Sequence, residues 1–379
     1  MKTLDEFFKK KTDNLTFIEL KEDSLVKLKG YTIKANLPLP LLSDVLIEGI
    51  KEGDFEEGIN LMDILQGMIY TLGSDRDFPY NHQYIKILQA SDKKALEYIF
   101  YKALKDLEAG SLEDACIILR GLLEVEPENL DILFNYGLAL ESIAKKFMED
   151  GKEEADSFLE YSTRVFESIL EKEKNYALSH YKLGYHYMYY GHFLKASLSW
   201  KKFLTLSNDE VLVQEVRNEI EKIEDDAIYE TGITYLIYKD YDKALDSFLK
   251  LIPKHEESWN INFSIGQAYM GLEEYDKAIG YINKAIELND DNPDLYNELG
   301  IIYINLDMIA EAIEVFTNGI EACEDDYKLY YNRGIAYTLL NDYSSALSDV
   351  NKAYELNPTE EIKNHKEELE KSVDNLYNI

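Results

Sequence analysis

Apolar positions recur at intervals of three and four along most of this chain. Segments such as "ELGIIYINL" and "AEAIEVFTNGI" carry one greasy face and one polar face, which predicts amphipathic helices packed on one side. Short breakers, for example "YMGLEEYDKA" and "LLNDYSSA", separate the helices in pairs. Pro127 in "LEVEPEN" and Pro358 in "YELNPTE" close second helices, because proline cannot continue a helix. One region breaks the pattern. Residues 15–35, "TFIELKEDSLVKLKGYTIKAN", alternate in places and hold "KEDS" as a turn, which predicts a small β-hairpin.

The helix pairs repeat. Gly232, Gly266, Gly300 and Gly334 stand 34 residues apart. Tyr235, Tyr269, Tyr303 and Tyr337 keep the same step, and so do Ala244, Ala278, Ala312 and Ala346. Three columns with one period predict a stack of equivalent units. Each column has a physical role. The glycine lets the two helices of a pair approach closely. The tyrosine, one turn along the same face, fills the space between pairs. The alanine is small because the first helix crosses there.

A 34-residue helix–turn–helix with Gly at unit position 8, Tyr at 11, Ala at 20 and Pro at 32 resembles the tetratricopeptide repeat. "YNRGIAYTLLNDYSSALSDVNKAYELNP" matches well, through Gly334, Tyr337, Ala346, Ala353 and Pro358. The resemblance implies an all-α fold, a right-handed superhelical solenoid of helix–turn–helix units, with the small N-terminal segment carrying the hairpin. Units 225–258, 259–292, 293–326 and 327–360 are in strict register, with Ile228 and Asn262 departing from the bulky residue usual at position 4. Unit 177–224 keeps Gly184, Tyr187 and Ala196 and adds 14 residues, roughly "VLVQEVRNEIEKIE", read as added helix. Unit 130–176 keeps Gly137 and adds 13 residues, read as extra turns on both helices. Unit 96–129 has Gly110, Ala115 and Pro127 in register, with Ala103 in place of the early glycine. Residues 1–38 are expected to be a small N-terminal segment. Residues 39–95 read as a helical region with a decayed unit at 39–72. Residues 361–379 read as a polar capping helix.

Charge narrows the partners. The net charge of −33 repels phosphate backbones and anionic lipid surfaces. No nucleic acid and no membrane partner is expected. The charge is uneven: residues 1–36 hold a net +2, and the other 343 carry −35. There is no run of about eighteen apolar residues to span a bilayer. The start, "MKTLDEFFKKKTDN", has no apolar h-region. Cys116 and Cys323 are the sole cysteines, far apart in sequence, which fits a reducing compartment. A cytoplasmic location is the expectation.

The stretch "HYKLGYHYMYYGH", residues 180–192, looks chemical. Its three histidines are spaced by six, about 120° apart on a helix. Helical zinc motifs use spacings of three or four, and no Asp, Glu or Cys in the segment completes a ligand set. Neither metal nor other cofactor is expected. There is no Gly-rich phosphate loop, no G-x-S-x-G and no H-E-x-x-H. Carboxylate pairs such as Glu153–Glu154 are ordinary among 73 acidic residues. The chain is not expected to be an enzyme.

The resemblance implies instead that positions 5, 9 and 12 of the first helices line a concave groove. Position 5 holds Phe100, Phe134, Tyr181, Tyr229, Phe263, Asn297 and Tyr331, six aromatics in seven units. Position 9 includes Tyr185, Ile233 and Gln267; position 12 includes Met188, Leu236 and Met270; Tyr189 follows at 13. Asn135 and Asn332 stand at position 6. Two readings compete for this wall: core packed between hairpins, or an exposed aromatic groove that marks a partner site. The family's two-carboxylate clamp needs Lys at position 5, Asn at 9 and at 6, and cations at positions 2 and 6 of a third unit. No unit here has Lys at position 5, so a chaperone-tail clamp is not expected.

The sequence therefore points to a non-catalytic protein- or peptide-binding adaptor or scaffold. Its partner would offer an apolar or amphipathic segment, with basic flanks favoured by the negative field. The hairpin at 130–176 is a candidate second contact surface or self-association element. An alternative is a peptide-sensing regulatory protein. A third reading places an enzyme site in residues 1–95, around "GSDRDFPYNHQY".

Overall fold

A computed structural model describes residues 2–20, 26–28, 31–33, 35–52, 59–323 and 325–377. The fold is an all-α solenoid of helical hairpins preceded by a small segment that carries four short strands. The chain divides into two compact units, Met1–Gly191 with Leu198–Val216, and His192–Ser197 with Arg217–Ile379.

In the first unit, α1 (Lys2–Lys9) and a 3-10 turn lead into β1 (Leu15–Ile18). β1 pairs antiparallel with β4 (Leu39–Leu42), Phe17 opposite Pro40. β2 (Val26–Leu28) pairs antiparallel with β3 (Tyr31–Ile33), Leu28 opposite Tyr31. A hairpin does form within 15–35, as β2–β3, but both of its strands follow the anticipated "KEDS" turn instead of flanking it, and β1, which precedes that turn, pairs with β4; residues 21–24 lie outside the described residues. Leu39 and Leu41 are fully buried and bring the segment onto the helices that follow.

Those helices are α2 (Ser43–Glu52), α3 (Leu61–Ser74), α4 (Asn81–Ala90), α5 (Lys93–Glu108), α6 (Leu112–Val125), α7 (Leu130–Glu149), α8 (Ala155–Lys172) and α9 (Ala177–Tyr189). The Gly turn anticipated inside 39–72 includes residues 53–58, outside the described residues. Phe8, Leu39, Ile69 and Phe147 share one core. Arg120 is 2% exposed, donates to the Gly73 carbonyl at 2.9 Å, and pairs with Asp5. This side chain fastens α1 to α3 and α6, and the two acceptors offset the cost of burying a guanidinium.

α7 and α8 run 20 and 18 residues, against 13 and 14 in a regular hairpin such as 259–288. The extra turns bring Phe147 and Phe158 edge to face at 5.3 Å. Phe7 of α1 meets Phe158 at 5.1 Å and Phe147 at 5.8 Å. The lengthened hairpin is therefore a seat for the N-terminal helix.

α10 (Phe193–Leu206) and α11 (Glu210–Lys222) have residues in both units. α11 forms from the residues added between hairpins. The second unit continues with α12 (Glu224–Ile237), α13 (Tyr241–Leu249), the short α14 (Ile252–His255), α15 (Trp259–Gly271), α16 (Tyr275–Leu288), α17 (Pro293–Asn305), α18 (Ile309–Ala322), α19 (Tyr327–Leu339), α20 (Tyr343–Leu356) and α21 (Glu360–Tyr377). Ala244, Ala278, Ala312 and Ala346 are all fully buried.

The column glycine makes room for a side chain sixteen residues on. A β-carbon on Gly300 would stand 2.3 Å from the Phe316 ring, and one on Gly184 would stand 2.1 Å from the Trp200 indole. The turns between paired helices are also uniform. Lys239, Glu273, Asp307 and Asn341 take φ values of 59–61°, a left-handed conformation that favours glycine. Gly110 and Gly191 hold the equivalent turns of the first unit at φ 90° and 72°.

Candidate functional site

Helices α15, α17 and α19 present unit positions 2, 5, 6 and 9 to one cavity of about 530 Å³, closed at one end by the start of α21. Two caps set the geometry. Asn292 accepts from the Asp294 amide at 3.1 Å and Pro293 starts α17. Asp326 accepts from the Lys328 and Leu329 amides at 2.8 and 3.2 Å and starts α19. The caps fix the first turns, where Asp294 and Lys328 stand one repeat apart and pair at 2.9 Å.

Deeper in the cavity, Asn332 Nδ2 donates to Asn297 Oδ1 at 3.0 Å. Asn297 is 5% exposed, and its own Nδ2 has no partner among the described residues. Gln267 Nε2 donates to Glu298 Oε1 at 3.3 Å. Burial pushes the Glu298 carboxyl up, the Gln267 bond lowers it, Asp294 raises it and Lys328 lowers it; the net is upward. Phe263, Ile301, Tyr331 and Ile362 supply the apolar lining. Burial, then Glu361 and Glu368, pushes the Tyr331 phenol up. Aromatic rings beside amides and carboxylates suit an extended chain that brings both side chains and backbone polar groups.

Five residues singled out from sequence meet here: Phe263, Gln267, Asn297, Tyr331 and Asn332. Tyr229, Ile233, Leu236 and Met270 are half-buried against the core of the second unit. Tyr229 lies 3.4 Å from Ser264 Oγ and 5.7 Å from the Phe248 ring.

In the first unit the picture differs. Phe134 is buried against Phe166 and Tyr176, at 5.4 and 5.5 Å, and is core rather than wall. Asn135 turns back to donate to the Asp131 carbonyl at 2.8 Å. Phe100 is half-buried and lines a cavity of about 220 Å³ with Tyr101 and Ile132. Tyr181 donates to Glu215 Oε1 of α11 at 2.9 Å, and Tyr185 donates to the same oxygen. Burial and then Glu215 push the Tyr181 phenol up to about 12, and Tyr185 rises further for the same two reasons. Tyr185 also stands edge-on to Trp200 at 5.0 Å. Met188 is half-buried; Tyr189 is exposed and donates to Asp156 at 2.9 Å. Two histidines of that stretch hold local contacts: His180 Nε2 lies 3.0 Å from the Lys174 carbonyl and His186 Nδ1 2.8 Å from Thr163 Oγ1.

Sequence reasoning missed three acids. Asp294 and Glu298 stand at positions 2 and 6 of their unit, where acids have no place in the family clamp. Glu141, at position 12 of unit 130–176, is 5% exposed and pairs with Lys182 at 2.9 Å and Lys145 at 2.6 Å, with His186 at 3.9 Å. Burial pushes its carboxyl up, but His186, Lys182 and Lys145 hold it well below the usual carboxylate range. The available signal was its register, an acid in a mostly apolar column.

Three family profiles, each described as tetratricopeptide repeat, match residues 259–292, 281–314 and 327–360. The match at 281–314 is offset: it begins within α16, spans α17 and ends within α18. Among solved structures, the chain is similar to YrrB, a TPR protein with an unusual peptide-binding site, at 22% identity over 54% of this chain and 97% of that one, TM-score 0.37. It is similar to a tetratricopeptide repeat protein from Parabacteroides merdae, at 18% identity over 72% and 98%, TM-score 0.35. It is also similar to MamA from Desulfovibrio magneticus, at 22% identity over 49% and 94%, TM-score 0.32. No curated protein matches the sequence. Among the described residues no helix is long and apolar enough to cross a membrane.

Proposed function

The chain is a tetratricopeptide repeat protein, and we propose that it is a non-catalytic adaptor holding a segment of a partner protein across α15, α17 and α19. One observation carries this reading: the cavity of about 530 Å³ formed by those helices, with rings and amides side by side. Its size falls in the range of about 300–1,000 Å³ usual for specific sites. Phe263 and Tyr331 offer rigid area to apolar side chains at small entropy cost. Asn332 and Gln267 are half-buried amides suited to a peptide backbone. The partner segment is apolar or amphipathic with basic flanks, drawn by the −33 net charge.

The test places a photo-reactive benzoylphenylalanine at Tyr331 of the full chain, with exposed Leu288 as control. Cross-links to one extended partner segment from position 331, absent from 288, are expected. Adducts from 288 alone would overturn the reading.

A further inference from the structure

We propose that Glu298 sets the specificity of this groove: the bound segment is an extended peptide whose lysine or arginine seats its head group on the Glu298 carboxylate. The inference rests on the groove reading above and adds the chemistry of its occupant.

Glu298 is half-buried within the cavity, and its one side-chain partner among the described residues is a neutral amide, Gln267 Nε2 at 3.3 Å. No described cation lies within ion-pair distance of it. The nearest candidate in register, Lys328, is already held by Asp294 at 2.9 Å. A partly desolvated carboxylate without a cation is costly to keep charged, and an incoming ammonium or guanidinium relieves that cost with a charge-assisted hydrogen bond. Glu361, exposed at the closed end of the cavity, adds to the same sign.

Two further features fit the same occupant. Phe263 and Tyr331 line the cavity with Glu298; rings next to a carboxylate suit a side chain with a methylene stem and a charged tip. Asn332, half-buried, lines the same cavity, and its amide suits the backbone of an extended segment. Anionic ligands meet the wrong charge, and a bare metal ion meets too few ligands, since Asp294 is occupied by Lys328.

The test is a selection of displayed random dodecapeptides on the full-length protein, run in parallel on Glu298→Gln and with circular dichroism to show both fold alike. Enriched sequences are expected to share Lys or Arg at one fixed position, and synthetic versions to lose about tenfold or more in affinity when that residue becomes norleucine. On Glu298→Gln that position should lose its preference and the tenfold difference should vanish. Enriched peptides without a fixed cation, or with the same cation on Glu298→Gln, overturn the inference and leave the groove reading standing. No enrichment on either protein overturns both.

Discussion

Glu215 Oε1 accepts the Tyr181 hydroxyl at 2.9 Å and the Tyr185 hydroxyl as well. The helix added after the hairpin reaches back to it, so one carboxylate holds two rings that sequence register would have left free. Both phenols are raised, Tyr181 to about 12, by burial first and Glu215 second. Their folded values lie above the unfolded value near 10. Their contribution is therefore whole below about pH 10 and disappears as pH rises through the folded values. Glu215→Gln removes the anion, and absorbance at 295 nm should show two of the 30 tyrosines titrating at lower pH. An unmoved curve would mean that the contact is not formed in solution.

A pair of glycines separates packing from propensity. Gly184→Ala drives a β-carbon to 2.1 Å from the Trp200 indole, whereas Gly280→Ala in α16 meets nothing within 4 Å. The first substitution should cost about 1–3 kcal/mol through overpacking. The second should gain about 1 kcal/mol of helix propensity. Urea midpoints should thus move in opposite directions. A shift of the same sign for both would refute the close approach of α9 and the second half of its hairpin.

The carboxylate of Glu141 is held below the usual range while 5% exposed, with Lys182 at 2.9 Å and Lys145 at 2.6 Å. A depressed folded value means that its contribution is full above the unfolded pKa of about 4.3 and drains as pH falls toward the folded value. Glu141→Gln should cost about 2 kcal/mol at pH 7. It should also flatten the fall of stability between about pH 5 and pH 3. Equal slopes for the two proteins in that window would assign the acid sensitivity to other carboxylates.

Much of the fold was legible because the 34-residue columns are local contacts written in sequence: Gly300 with Phe316, Gly184 with Trp200. The candidate cavity was legible in part. Positions 5, 6 and 9 did lead to Phe263, Gln267, Asn297, Tyr331 and Asn332, which share a cavity. Phe134 has the same register but finds Phe166 and Tyr176 within 5.5 Å, because the lengthened hairpin fills that face with its own rings. Glu215 could not be placed from periodicity, since α11 lies outside the repeat and its partner is 34 residues back. Asp294 and Glu298 occupy positions 2 and 6, where the family clamp would need cations. That reversal of sign was present in the sequence, and it acquired meaning once Lys328 was found paired with Asp294.

The left-handed turn recurs at 239, 273, 307 and 341 whether the residue there is Lys, Glu, Asp or Asn. The conformation is thus dictated by the packed helices on either side, since the side chains share no preference that would choose it. Each hairpin then behaves as an interchangeable cassette. Excising residues 293–326 would join Asn292 to Tyr327, a cap to a first turn, much as Asp326 already does. The array is in this sense editable: its length has room to change by whole cassettes in descent, while a break inside one would strand two helices without a mate.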